Sequence, residues 1–291
     1  MSSTFFTASP QWRWFIVAYF FFGGLAAGSY VLATLLDLSG QDRRLVRLGY
    51  LVAFPVVCLC GLLLTVDLGR PLRFWHMLVQ SETFRPMLKT YSPMSSGAWA
   101  LAGFGGCAFL SFVAVLAERG WLDRPALRRL GAPSPVGRLV TGVGTLLALY
   151  VAGYTGVLLS VSNRPIWADT SLLGVTFLIS AGSTSAALLM LLGAWRGVTG
   201  EGLHALERFD RVVLVLELVA IVALIASLGR IAMVWLNGWG VLLAAMTVGG
   251  VALPLVIEAR PSARGALAPV LVLVGGLVLR AVIIFSSDGL P

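Results

Sequence analysis

Residues Trp14 to Leu36 read WFIVAYFFFGGLAAGSYVLATLL, a run without a charged side chain, bounded by Arg13 on one side and Asp37 on the other. At 1.5 Å rise per residue such a run is long enough to cross a hydrocarbon layer roughly 30 Å thick. It lacks the layout of a cleaved signal peptide, because it is long, aromatic-flanked and preceded by a single Arg, so the sequence predicts that this first helix stays in the protein.

Seven further intervals of the same kind follow outward from it, at about Leu48–Val66, Ser95–Leu116, Leu139–Val161, Ser171–Leu192, Val212–Leu228, Ile231–Ile257 and Ala266–Ser286. The sixth carries one acid, Glu217, and the eighth one cation, Arg280. Only Gly229 and Arg230 separate the sixth from the seventh, which predicts a tight hairpin. Composition agrees with this pattern. Of 291 residues 58% are hydrophobic and 12% charged, where a soluble domain carries roughly 25% charged residues. The reading is an all-α, polytopic membrane helix bundle: a single integral membrane domain over residues 1–291 with eight transmembrane helices.

Lys and Arg near helix ends mark the cytoplasmic side. The loops after helices one, three, five and seven carry thirteen: Arg43, Arg44, Arg47, Arg119, Arg124, Arg128, Arg129, Arg138, Arg196, Arg208, Arg211, Arg260 and Arg264. The opposite side carries seven: Arg13, Arg70, Arg73, Arg85, Lys89, Arg164 and Arg230. The odd loops are therefore expected in the cytoplasm, with both termini outside. The net charge of +8 reads as a topology signal and an attraction to anionic membrane lipid. No basic run interleaves with aromatics, as nucleic-acid binding requires.

Cysteine and histidine usage narrows the chemistry. Cys58, Cys60 and Cys107 lie inside apolar helices and fall short of the roughly four thiolates an iron–sulfur cluster needs. His76 and His204, the only histidines, fall in loops on opposite faces, so a membrane bis-histidine haem has no ligand pair. Lys89, the single lysine, is placed in a loop, which excludes a retinal Schiff base.

Polar groups at membrane depth are costly and mark function by default. Asp67 ends helix two, in the run Asp67-Leu68-Gly69-Arg70-Pro71, where it is either an acid able to accept a proton or a helix-end residue paired with Arg70. Tyr154 lies in the outer third of helix four, and Arg280 at a similar depth in helix eight. The three can converge on one pocket, although Tyr154 also suits an aromatic belt and Arg280 a structural pair. Glu217, Glu258 and Asp37 form a second set toward the cytoplasm, either a proton path or partners of the Arg-rich loops. Gly23, Gly24, Ala27 and Gly28, Gly97, Gly103 and Gly106, and Gly153 with Gly156 permit close helix contacts. The outer loop from Asp67 to about Met94 contains Arg73, Phe74, Trp75 and His76, an interfacial stretch suited to anchoring or to docking a partner.

Several of these segments together resemble the polysulfide reductase NrfD family: Asp67-Leu-Gly-Arg-Pro-Leu-Arg-Phe-Trp-His-Met77, Ser92-Pro-Met-Ser-Ser-Gly-Ala-Trp99, Tyr154-Thr-Gly-Val-Leu-Leu-Ser160, Arg164-Pro-Ile-Trp167, Gly23 to Gly28, and Gly275 to Arg280. The resemblance spans nearly the whole chain in order. It implies a quinone-reactive subunit without haem or iron–sulfur cluster, docked to a four-cluster iron–sulfur protein that serves an exported, molybdopterin-containing catalytic subunit. It further implies a quinone, menaquinone or ubiquinone, bound near the outer face of a bacterial inner membrane. Carried over residue by residue, the family's helix-two acid falls on Asp67 and its helix-four tyrosine on Tyr154, with Arg70 and Trp99 as supports. Some members place Asn or His in helix one near the head group. Here Ile16 to Phe22 offers only Tyr19, a departure from the pattern. Two other classes fit the composition: a secondary transporter, which would show related repeats and broken helices, and a structural anchor without a quinone site.

Overall fold

The computed structural model describes residues 12–259 and 265–289. Eight helices in it are long and apolar enough to cross a membrane: α1 Trp14–Leu38, α2 Arg43–Asp67, α3 Pro93–Glu118, α4 Pro135–Ser160, α5 Leu173–Trp195, α6 Glu201–Leu228, α7 Gly238–Glu258 and α8 Leu267–Phe285. Arg260 and Arg264, counted above toward the cytoplasmic side, lie outside the described residues. Among those described there is no named strand, and an isolated bridge joins Val79 to Pro86 in the loop after α2.

Local chemistry sets where the helices begin. Asp42 caps α2 by accepting the Arg44 N–H at 2.8 Å. Ser134 accepts the Gly137 N–H at 2.9 Å with Pro135 in the first turn of α4, and Ser92 with Pro93 starts α3 in the same way. A short polar side chain satisfies an orphan N–H, and proline at the first position has no N–H to lose. Several helices extend past the apolar intervals: α2 begins at Arg43 and α6 at Glu201, each including cations assigned to loops. A charge marks where lipid ends, and a helix continues into the polar layer beyond it.

The hairpin expected at Gly229-Arg230 does not form. After Leu228 the chain makes a 3₁₀ turn over Gly229–Trp235, and α7 starts only at Gly238, capped by Asn237 on the Trp239 N–H at 2.9 Å. Trp235 turns inward, and its indole N–H donates to Ser286 at 3.0 Å, so this connection packs against the end of α8.

α1 contacts α2, α4, α5 and α8, and α5 contacts α1, α4, α6 and α8. These two helices hold the halves α1–α4 and α5–α8 together. Burial follows: 78% of the apolar window of α1 is inside the bundle, against 28% for α2. In lipid such contacts depend on close backbone approach. A Cβ at Gly28 would collide with Ala181 and Ser185 of α5, and Gly250 of α7 lies against Gly275 of α8. Gly250 falls in a π-helical stretch, Thr247–Ala252, just ahead of Pro254, where the missing proline N–H breaks the regular ladder. Hydroxyls buried in the first half pair with each other: Tyr30 with Ser111 at 2.8 Å, Thr34 with Tyr50 and Thr145 at 3.1 Å each.

Candidate functional site

At the end of the bundle that carries Asp67, helices α1 to α4 enclose an apolar cavity of about 380 Å³. Its walls include Ile16 and Phe20 from α1, Val57 and Leu64 from α2, Leu101 from α3 and Leu158 from α4. Phe74, Met77 and Leu78 close it from the loop after α2. Four oxygen-bearing side chains interrupt this lining: Tyr19, Tyr154, Thr65 and Asp67.

The hydroxyls of Tyr19 and Tyr154 lie 3.1 Å apart, and both residues are buried. Gly97 makes room for the Tyr154 ring, since a Cβ there would strike it. Tyr150 stacks on Tyr154, with 5.9 Å between centroids and 3° between planes, and is fixed in turn by Ser96 at 2.7 Å. Tyr154 is thus part of the core, not of an exposed aromatic belt. Asp67 is exposed on the rim. No described ion pair joins it to Arg70, which excludes the simple helix-end pair. Arg13 is the cation that acts on Asp67 electrostatically.

The structure brings Asp67, Tyr154 and Tyr19 into one cavity and keeps Arg280 out of it. Arg280 is 1% exposed and lies on the far side of α1. Its Nε donates to the Phe20 carbonyl at 3.2 Å, and Nη1 donates to Ser180 at 3.2 Å and to the Gly276 carbonyl at 2.7 Å. Its guanidinium lies over the rings of Phe21 and Phe177, at 5.8 and 5.3 Å. The expected convergence of all three groups fails because the α1 backbone stands between them. Arg70 is exposed and does not line the cavity. Trp99 does not line it either. Its indole N–H donates to the Met87 carbonyl at 3.1 Å, tying the outer loop to α3.

That loop forms a 3₁₀ turn over Pro71–Met77, followed by a small hairpin in which Gln80 N–H meets the Arg85 carbonyl at 3.0 Å. Arg73 and Phe74 are exposed, Phe74 at the mouth of the cavity, while Trp75 and His76 are half-buried, with Trp75 stacked on Phe84. Among the described residues no group of three or more His, Cys, Asp or Glu is placed to hold a metal ion.

The family described as Polysulphide reductase, NrfD matches residues 2–288. The chain belongs to the NrfD family. Among curated relatives, a polysulfide reductase chain of Wolinella succinogenes is 27% identical over 95% of this chain and 94% of its own length. Protein NrfD of Escherichia coli is 29% identical over 67% of this chain and 63% of its own. A selenate reductase subunit of Mesobacillus selenatarsenatis is 37% identical over 26% of this chain and 18% of its own. With its eight apolar helices, this NrfD-family member is a multi-pass membrane protein.

The acids toward the Arg-rich end divide. Asp37 pairs with Arg43, which also meets Glu118, itself bound to Arg47 at 3.1 Å, as the pairing alternative expects. Glu217 and Glu258 join no described ion pair. Glu217 is 2% exposed and accepts the Ser183 hydroxyl at 2.6 Å. A further acid, Asp210, is 0% exposed in α6. The apolar interval begins only at Val212, so a reading by charge-free runs passes over it. Its position two turns before Glu217, on one helix face, is the signal that finds it.

Proposed function

We propose that this chain is the quinone-reactive membrane subunit of a reductase complex, passing electrons between the quinone pool and a docked iron–sulfur subunit. The observation that carries the reading is the apolar cavity of about 380 Å³ in which a paired tyrosine couple, Tyr19 and Tyr154, faces the space and Asp67 stands on the rim. Apolar walls with a few convergent polar groups suit a small organic ligand. The lining fits a quinone ring and the start of its isoprenoid tail. The relatives named for polysulfide and selenate reductases support the redox setting.

In this mechanism the Tyr19 hydroxyl donates to Tyr154 Oη, and the Tyr154 hydroxyl donates to a quinone carbonyl oxygen. Asp67 exchanges a proton with that end of the ring, and its exposure gives the proton a way out to solvent. Reduction takes two electrons and two protons, and oxidation returns them through the same groups. The loop carrying Arg73, Phe74, Trp75 and His76 forms the docking face for the iron–sulfur subunit. Phe74 also walls the cavity, so the partner's nearest cluster would lie beside the quinone. The charge distribution supports placing this face on the outside of a bacterial inner membrane, with an exported molybdopterin catalytic subunit beyond it.

Quinol-dependent reduction of the co-purifying iron–sulfur clusters, or quinone-dependent oxidation of reduced ones, tests the reading. Wild type couples in one of these directions, and Tyr154→Phe and Asp67→Asn, assembled normally, lose most of that coupling. A wild-type complex that holds its clusters and couples in neither direction would make the protein an anchor.

A further inference from the structure

A second cavity, of about 680 Å³, lies at the Arg-rich end of the bundle, between the ends of α5 and α7 and the starts of α6 and α8. His204, Glu207, Arg208 and Arg211 of α6 line it together with Glu258 of α7. The four α6 residues occupy two turns of one helix face, about 10 Å along the axis. Charges of both signs thus surround one space, yet among the described residues no ion pair joins them to one another. The Nε groups of Arg208 and Arg211 turn back to carbonyls of their own helix, at 3.4 Å each. Arg211 acts on Glu258 electrostatically, but both carboxyl oxygens of Glu258 are buried and accept no hydrogen bond. A buried acceptor without a donor costs stability, so this set of charges is complementary to a ligand that brings a cation and an anion of its own.

The helix ends divide in the same sense. α6 and α8 start in the wall, at Gly200 and Ala266, with no side-chain cap, and their first N–H groups suit a phosphate. α7 ends in the wall at Glu258, where the terminal carbonyls favour a cation. The remaining lining is largely apolar, with Met190, Leu203, Ile257 and Pro269. Next to these residues in the chain, Val256, Leu267 and Val270 are exposed on membrane-spanning helices, a surface for lipid tails.

We propose that this cavity holds the headgroup of an aminophospholipid from the surrounding membrane, its phosphate between Arg208 and Arg211 and its primary ammonium on Glu258 and Glu207. The ammonium brings three N–H donors to carboxyl oxygens that have none, and the phosphate accepts from the guanidinium forks. A choline head carries both charges but has no N–H to give. A glycerol head carries the phosphate without the cation. The acyl chains run over Val256, Leu267 and Val270, which a soluble phosphoethanolamine ester would leave uncovered. The site is separate from the quinone cavity and does not depend on that reading.

The test uses the full-length protein, with the subunits that co-purify, in delipidated detergent micelles to which one lipid at a time is returned. Native mass spectrometry reads occupancy and thermal unfolding reads the stabilisation. Phosphatidylethanolamine is expected to bind at least tenfold more tightly than phosphatidylcholine or phosphatidylglycerol with the same chains. Arg211→Gln lowers that affinity at least tenfold, and Glu258→Gln removes the preference over phosphatidylcholine. Should either variant fail to assemble, the wild-type comparison decides alone, because equal binding of the ethanolamine and choline lipids overturns the proposal. An unchanged preference in Glu258→Gln overturns it too. Glycerophosphoethanolamine, the same head without chains, distinguishes the source: binding as tight as that of the lipid assigns the cavity to a soluble ligand and overturns the lipid site, whereas binding weaker by tenfold or more supports it.

Discussion

Asp67 stands exposed on the rim of a cavity at one end of the bundle, whereas Asp210, an equally short acid, is 0% exposed near the other end. Around Asp67 and Tyr154 the α1–α4 half leaves open space with apolar walls. Around Arg280 the α5–α8 half closes on its polar groups: Arg280 reaches Phe20, Ser180 and Gly276, and Glu217 accepts from Ser183. A solvated acid can be lost without disturbing its surroundings, because water replaces it. A buried cation cannot be, because the carbonyls and hydroxyls turned toward it would be left without a donor. On this contrast, the cavity proposed for quinone belongs to the first half, and the closely packed buried cation to the second.

Four substitutions put that division at risk. Arg280→Ala carries the largest expected effect. It strips the donors from Phe20, Gly276 and Ser180, and buried acceptors left unpaired cost roughly 1–3 kcal/mol each. Thermal unfolding in detergent will register it as a large fall in stability, and an Arg280→Ala protein as stable as wild type would break the comparison. Tyr154→Phe comes next. Removing one positioned donor lowers the quinone-linked rate about 100-fold while the melting temperature stays close to wild type; a collapse of stability instead would mean that Tyr154 is mainly structural.

Asp67→Asn sharpens the contrast further, lowering the same rate by less than Tyr154→Phe because solvent at the rim supplies an alternative proton carrier. Stopped-flow cluster reduction separates the two. Trp99→Phe has the smallest expected effect. It removes the single hydrogen bond to Met87, worth about 1 kcal/mol, and the outer loop then binds its partner more weakly with the intrinsic quinone affinity unchanged. Titration of the partner against the membrane subunit reads this directly.

Much of the architecture was legible from residue order. Eight intervals with at most one charge each gave eight helices because lipid penalises charge along the full length of a span. Their true ends were less legible. Asn237 and the inward Trp235 moved the start of α7 to Gly238, and a helix running on through Glu201 to Arg211 carried Asp210 into the bundle unnoticed. Of the candidate site residues, Asp67, Tyr154 and Tyr19 line one cavity. Arg70, in the turn after α2, and Trp99 and Arg280 do not; for the two helical residues, depth along a helix says nothing about which side of that helix a residue faces.

The sequence by itself determined that this is a polytopic helix bundle, which intervals cross, and which few polar residues lie within them, since those follow from the energetics of lipid contact one residue at a time. Tertiary structure alone decided that Tyr19 and Tyr154 touch across 3.1 Å, that α1 separates Arg280 from them, and that Asp210 is enclosed within the bundle. Those relations depend on helix rotation and crossing, which close contacts such as Gly28 on α5 and Gly250 on Gly275 set across the whole protein, and no local stretch encodes them.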